Sequence, residues 1–286
     1  MGRFRGALLR LATTDRRIVF LIMGAAVLLP FLLPIEFEAK PSEQTERFSS
    51  ALDAAIAAEG PVFMELAFGN QTESEMEPIA IAVMHRLFSA KKKVVFFTTY
   101  ETAAAFTRRY LAEMERTYGL VYGEDVAFLG FAAAFTIAMY KMGSAIQEVF
   151  HKDDRGNDIR SLPILKGIQS LKDASVLIDI AGNSNPRFWI NYAVEPYGID
   201  FLMAATAVDA TNYFPFLQTG QVKGLIAGGR AGAEYEGILR KRGIMNRVGD
   251  ATRALGSQSL SLLVIMVFIL IGNIGYFAAR HKEGRS

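Results

Sequence analysis

The chain has 286 residues, 51% of them hydrophobic, and a formal net charge of +2 at pH 7. It contains no cysteine, which excludes thiol catalysis, disulfide bonds and cysteine metal ligands. The long central part is slightly acidic and shows no basic footprint for nucleic acid, so we expect no nucleic-acid partner.

Two apolar runs, one near each terminus, dominate the hydropathy pattern. Residues 260–279 contain no Asp, Glu, Lys, Arg or His and match the ~20 residues that a helix needs to cross a bilayer. The first run, residues 18–34, is shorter and contains Pro30 and Pro34. A cleaved signal peptide is the competing interpretation of this run, but no small-residue cleavage site follows it. We therefore predict two membrane anchors around one loop domain.

The predicted organisation has five segments. Arginines are more frequent before the first apolar run than after it, which favours a cytoplasmic N-terminus, although the charges around the second run favour the opposite. Since the first helix usually dominates, we expect both termini in the cytoplasm of a bacterial-type inner membrane and the loop domain on the periplasmic or extracellular side. The segments are a basic tail (1–17), a transmembrane helix (18–35), an α/β loop domain (36–257), a second transmembrane helix (258–279) and a basic tail (280–286).

The loop domain alternates apolar runs with segments of helical spacing. Residues 93–99, KVVFFTT, are typical of a strand buried on both faces. Such alternation predicts a mostly parallel, doubly wound, Rossmann-like α/β sheet of about six strands. The predicted strands are 61–68, 93–99, 125–130, 175–181, 198–204 and 221–227; the predicted helices between them are 74–90, 101–118, 133–150, 162–171, 186–193 and 209–217.

The predicted strands end in small and polar residues. Ligands of open parallel sheets bind beyond these carboxyl ends, but short βα loops also need caps and tight turns. Gly228-Gly229-Arg230 is the best candidate because backbone amides in a glycine-rich turn can approach an anion; Arg230 could instead pair with Glu234. The ligand-binding candidates are Asn70, Thr98, Thr99, Asp179, Asn183, Asp209, Gly228, Gly229 and Arg230.

Two of these candidates are carboxylates with a second interpretation each. Asp179 interrupts an apolar strand, where burial raises the pKa of an unpaired carboxyl, and it is read either as a functional group or as a loop cap. Asp209 begins a predicted helix and is most often an N-cap in such a position. The three histidines lack ligand spacing and no serine stands in a nucleophile elbow, so we predict no metal, no cofactor and no catalytic residue.

Three polar residues in or beside the second apolar run are candidates for membrane-helix contact. Ser257 and Ser261 form a small-xxx-small pair, and Asn273 is the polar side chain near the far end. Packing against another helix would satisfy Asn273, and water at the headgroups would do the same.

Three functions are compatible with this pattern. The leading hypothesis is a non-enzymatic, membrane-anchored scaffold subunit that assembles with copies of itself in the lipid bilayer. The first alternative is a small-ligand sensor or solute-binding domain, since the sheet pattern resembles one lobe of periplasmic solute-binding proteins, a likeness that carries no activity by itself. The second alternative is an enzyme on a small polar or nucleotide-like substrate, with Asp179 or Asp209 as acid or base.

Overall fold

The chain forms an α/β unit and a separate unit of terminal segments. The structure, a computed structural model, describes residues 15–33 and 39–283. Glu38–Ala251 make up the α/β unit, whereas Met1–Phe37 and Thr252–Ser286 make up the other. The predicted boundary at residue 36 and most of the two basic tails lie outside the described residues.

Six strands form one parallel sheet, which confirms the predicted α/β fold class. They are β1 Val62–Ala67, β2 Val94–Thr98, β3 Val126–Phe131, β4 Val176–Ala181, β5 Phe201–Ala205 and β6 Gly224–Ala227. Their spatial order is β3-β2-β1-β4-β5-β6, and every neighbouring pair is parallel. The order reverses between β1 and β4, and this switch point is where ligands bind in doubly wound sheets.

Helices cover both faces of the sheet, each over its own apolar core. Side chains of β1 alternate between the two cores: Met64 and Leu66 face one, and Phe63 faces the other. The first core is covered by α2 Glu43–Ala57, α3 Glu73–Ser89, α4 Ala103–Tyr118 and α9 Gly228–Lys241. The second is covered by α5 Phe135–Met142, α6 Asn185–Trp189, α7 Glu195–Tyr197 and α8 Phe214–Thr219.

Two predicted helices are wrong in extent. Residues 162–171 form short 3-10 turns, because Pro163 and Gly167, which has a φ of 83°, interrupt any regular helix. The helix predicted over residues 133–150 ends at Met142, since the N–H of Ile146 donates to the carbonyl of Gln169 at 2.8 Å rather than continuing the helix. Met139 and Met142 are buried in the second core, so this helix packs against the sheet.

The terminal unit contains α1 Arg16–Leu32 and, from Thr252 on, α10 Asp250–Glu283. The part of α10 from Asp250 to Phe277 is long and apolar enough to cross a membrane. Within the described residues one helix meets this criterion, whereas the sequence predicted two membrane spans. The first apolar run gives a helix of 17 residues, about 26 Å long, against a hydrocarbon core of ~30 Å.

The early end of α1 follows from the proline after it. Leu33 has an extended backbone, with φ −111° and ψ 144°, as expected for the residue before Pro34. The remainder of the predicted first span lies outside the described residues.

The predicted helix-contact residues of α10 differ in their surroundings. The hydroxyl of Ser257 donates to the carbonyl of Val27 in α1 at 3.0 Å, so its contact lies within the same chain. The hydroxyl of Ser261 is buried and has no hydrogen-bond partner in the described part of the chain. Asn273 is exposed.

Candidate functional site

Two buried carboxylates lie side by side at the switch point of the sheet. Glu65 of β1 and Asp179 of β4 are register partners, and both side chains are 0% exposed. Each is the fourth residue of its strand, VFMELA and VLIDIA, so the two point to the same face of the sheet. A pair of acidic groups in this position is costly to bury and needs an explanation.

Glu65 is the hydrogen-bonded member of the pair. Its Oε1 accepts from the backbone N–H of Thr99 at 2.6 Å and from the Thr99 hydroxyl at 2.5 Å, and more distantly from Asn185 Nδ2 at 3.4 Å. Its Oε2 accepts from the indole N–H of Trp189. Asn185 Nδ2 also donates to the Thr99 hydroxyl at 2.7 Å. Thr99 and Asn185 are half-buried, so this network connects the buried carboxylate with the surface.

Asp179 lacks such partners. Neither carboxyl oxygen has a hydrogen-bond partner within the described residues. Burial, followed by the charge of Glu65, holds the pKa of Asp179 well above its ordinary value. Burial also raises the pKa of Glu65, but the hydrogen bonds from Thr99, Trp189 and Asn185 oppose that rise. The bonded carboxyl is the better place for a negative charge, so we assign the proton to Asp179 and the charge to Glu65.

Helix α6 places two of these groups above the pair. Pro186 at its first turn fixes the start of the helix directly after the polar loop that follows β4. Trp189 is fully buried and meets Phe97 edge-on, with ring centroids 5.5 Å apart. The helix continues as a π-helical turn, Ile190–Val194, a distortion that is frequent at functional sites.

The loops over the pair are tightly packed. A Cβ on Gly182 would collide with the Thr72 side chain, so the β1 and β4 loops meet there without space for a larger residue. Asn183 Oδ1 accepts from the backbone N–H of Asn185 at 2.9 Å and thereby shapes this loop, whereas Asn70 is exposed. The Thr98 hydroxyl donates to the carbonyl of Leu66 at 2.7 Å and serves the sheet rather than a ligand.

The predicted anion site in the glycine-rich turn is already filled by a carboxylate of the same chain. Glu75 Oε1 accepts from the backbone N–H of Gly229 at 3.3 Å and of Ala207 at 3.0 Å. Gly228 has a φ of 75°, and a Cβ there would lie 2.8 Å from both Ala207 Cβ and Glu75 Oε1. The turn therefore holds two loops together through Glu75.

The remaining predicted residues are engaged locally. Arg230 is exposed and its Nε lies 3.3 Å from Glu234 Oε1, the alternative pairing that the sequence suggested. Asp209 and Thr206 bond each other: the Asp209 N–H donates to the Thr206 hydroxyl, which lies 3.2 Å from Asp209 Oδ2. Asp209 is the first residue of a short 3-10 helix whose N-cap is Val208, so its carboxylate does not have the N-cap role that the sequence suggested.

The structure brings Thr99, Asp179 and Asn183 to one place and leaves Asp209 and the glycine turn elsewhere on the edge. Sequence reasoning missed Glu65, Asn185 and Trp189. A signal for Glu65 was present, because VFMELA repeats the single acidic residue at the fourth position of VLIDIA. Within the described residues no group of three or more His, Asp or Glu side chains is arranged to hold a metal ion.

The fold and the site define a doubly wound α/β domain with a buried acidic pair at its switch point. No protein-family model matches the chain, and comparisons with curated proteins and with solved structures likewise give no match.

Proposed function

We propose that this chain is a membrane-tethered receptor domain that binds a small polar ligand at the switch point between β1 and β4. The observation that carries the proposal is the carboxyl of Asp179, fully buried beside Glu65 and without a hydrogen-bond partner among the described residues. This places a ligand-binding function ahead of the scaffold function that the sequence favoured.

An unsatisfied buried carboxyl costs stability, on the order of 1–3 kcal/mol or more. Strongly perturbed acidic groups of this kind cluster at functional sites. Thr99 and Asn185 extend the pair toward solvent through hydrogen bonds, which supplies a route by which a ligand influences Glu65. The position agrees with the general rule for doubly wound sheets.

The apolar helix from Asp250 to Phe277 supports the tether. In the finer form of the proposal both terminal apolar helices are anchors, both termini are cytoplasmic, and the α/β unit lies on the outer side of an inner membrane. Cysteine-accessibility labelling of single-cysteine variants in intact cells would test that topology, since the natural chain has no cysteine.

Thermal-shift measurements on the full chain in detergent would test ligand binding. The screen contains small sugars, amino acids, amines, carboxylates and phosphate, and it compares the natural chain with Glu65→Gln. The matched control is Glu124→Gln, because Glu124 is exposed and lies in the turn before β3, at the amino end of that strand. We expect at least one compound to raise the melting temperature of the natural chain and the control but not of Glu65→Gln. A screen without any Glu65-dependent shift would remove the proposal.

The scaffold function is the second candidate, and a group of exposed apolar side chains favours it. Ile137 and Tyr140 on α5 are 59% and 54% exposed, and Phe131 at the end of β3 is 43% exposed. Apolar surfaces of this kind are common in subunit contacts. Light scattering of the detergent-solubilised chain would decide, since a monomer at all concentrations would exclude it.

An enzyme remains a third idea without support from geometry. A catalytic acid or base must come within hydrogen-bond reach of its substrate. Asp179 is 0% exposed, and Asp209 is bonded to Thr206.

A further inference from the structure

We infer, resting on the proposed function, that the ligand of the switch-point site is an amphipathic amine: a protonated amino group on an aromatic or aliphatic body. Two independent features carry this inference. One is the anionic acceptor Glu65, and the other is a rim of aromatic side chains at the same edge of the sheet.

The charge of the site selects a cation. Within the described residues neither Glu65 nor Asp179 forms an ion pair with Lys, Arg or His, although such pairs are frequent elsewhere in that part of the chain. A buried carboxylate without a cationic partner is stabilised strongly by an incoming ammonium group.

The neighbouring helix disfavours an anionic ligand. The first turn of α3 carries Glu73 and Glu75 at the end of the helix that would otherwise attract an anion, and Glu73 and Glu77 pair with Arg109. Glu75 also occupies the backbone amides of the glycine-rich turn. The parts of this edge that usually bind phosphate or carboxylate are therefore acidic or filled.

An aromatic rim, defined as Phe131, Phe135, Phe188 and Tyr192, lies at the carboxyl edge of the sheet, on the last residue of β3, on α5 and on the helical segment after β4. Phe131 is the register partner of Thr98, the residue before Thr99. Phe188 follows Asn185 by one helical turn; its ring meets Phe135 edge-on at 5.0 Å and stacks with Tyr192 at 6.4 Å. Phe131 and Tyr192 are 43% and 40% exposed.

This juxtaposition fits a ligand with two unlike ends. The rim offers ring faces for an apolar body and for cation–π contact, which no free sugar or phosphate would use. The amino group would reach Glu65 Oε1 by taking the place of Asn185 Nδ2, the most distant of its donors at 3.4 Å. Asn185 is half-buried, so its side chain lies at the surface end of that path.

Isothermal titration calorimetry on the full chain in detergent would test the inference with four probes. Phenethylamine has the ring and the charge; phenylacetate has the ring with the opposite charge; phenethyl alcohol has the ring alone; and ethylamine has the charge alone. Because the ring probes also partition into micelles, only binding that disappears in Glu65→Gln counts as binding at the site.

We expect phenethylamine to bind at least about tenfold more tightly than the other three probes, which is about 1.4 kcal/mol. Two variants at half-buried positions protect the result against misfolding of Glu65→Gln. Phe188→Leu should weaken phenethylamine several-fold and leave ethylamine unchanged, and Thr99→Val should alter binding without loss of the far-UV circular dichroism spectrum. Glu124→Gln should behave as the natural chain.

The outcomes separate the two proposals. Glu65-dependent binding of phenylacetate, phenethyl alcohol or a sugar, with phenethylamine no tighter, would overturn the amine inference and leave the receptor proposal intact. Equal affinity for phenethylamine and ethylamine would overturn the role of the aromatic rim. If neither these probes nor the broader screen gives Glu65-dependent binding, the receptor proposal falls, and the inference falls with it.

Discussion

The carboxyl edge of the sheet contains two acidic regions that differ in their hydrogen bonding. At the glycine-rich turn, Glu75 accepts hydrogen bonds from the N–H groups of Ala207 and Gly229 and joins two loops. At the switch point, Asp179 is buried deeper and accepts none from the described residues. The glycine turn resembles a binding site in sequence, but its backbone amides already donate to Glu75. The carboxyl without a hydrogen-bond partner among the described residues is that of Asp179, inside an apolar strand.

The carboxylates of the two regions should respond to mutation in opposite ways. A carboxylate that saturates backbone donors contributes stability, and its removal should lower stability. A protonated, unbonded carboxyl costs stability, and its neutral replacement should preserve or raise it. Both statements can be tested by urea unfolding of the full chain in detergent, followed by circular dichroism.

The largest effect should come from Trp189→Ala. The indole is fully buried and donates to Glu65, so the variant loses packing and leaves the carboxylate with one donor fewer. We expect a loss of about 3–5 kcal/mol in the free energy of unfolding. Trp189→Phe should cost less, since it keeps most of the apolar volume. Equal losses in the two variants would show that the hydrogen bond dominates over packing.

The next effect is a change in pH dependence for Asp179→Asn. Because the folded-state pKa of Asp179 is raised, its contribution to stability is full below the unfolded value of about 4 and is lost as the pH rises toward the folded value. Asparagine does not titrate. The variant should therefore gain about 1–3 kcal/mol relative to the natural chain between pH 5 and pH 7.

The groups electrostatically coupled to Asp179 are Glu65 and Tyr213. Burial, with the charges of Asp179 and Asp209, raises the pKa of Tyr213 to about 12, so Tyr213 stays neutral in this window. Glu65 has the same sign of shift as Asp179 and persists in the variant. A variant whose stability falls relative to the natural chain as the pH rises would contradict the assignment of the proton to Asp179.

Glu75→Ala should show the opposite behaviour at the other region. The N–H groups of Ala207 and Gly229 lose their acceptor, and we expect a loss of about 1–2 kcal/mol at pH 7. Glu75→Gln keeps one acceptor oxygen and should cost less. If Glu75→Ala is as stable as the natural chain, water serves these amides equally well and the two regions differ less than proposed.

Gly228→Ala should cost about 1–2 kcal/mol, because its φ of 75° is unfavourable for a residue with a Cβ and Ala207 lies in the way. Gly229→Ala is the matched control: a Cβ there meets Glu75 Cγ at 4.0 Å, which is ordinary contact. The ratio of the two unfolding midpoints measures the backbone constraint of the turn. Equal midpoints would mean that the turn relaxes freely.

The smallest effect should be that of Arg230→Ala. The side chain is 77% exposed, and its pairing with Glu234 spans one helical turn at the surface. We expect a change within about 0.5 kcal/mol and no loss of ligand binding at the switch point. Glu234 keeps its hydrogen bonds from Ser42 and Thr45 in this variant. Loss of binding in Arg230→Ala would move the site to the glycine turn.

The sequence was sufficient for the strands and insufficient for the contacts between them. In a run such as VVFFT every residue is β-branched or aromatic and every residue is buried, so the local sequence alone predicts a strand. The bond between Glu75 and Gly229 joins residues 154 positions apart, and no local pattern encodes such a contact. Asp179 was recognised as anomalous within its strand, but its register partner Glu65 becomes evident only from the order of the strands.

Trp189 is the single tryptophan of the chain, and it donates a hydrogen bond to Glu65, the member of the buried pair to which we assign the charge. Its emission therefore comes from a single known position, with no second indole to subtract. Any change in the ionisation of Glu65 alters the electric field along the indole N–H and shifts the emission wavelength. The unlabelled chain thus carries an optical reporter of its own switch point, readable in lipid vesicles as well as in solution.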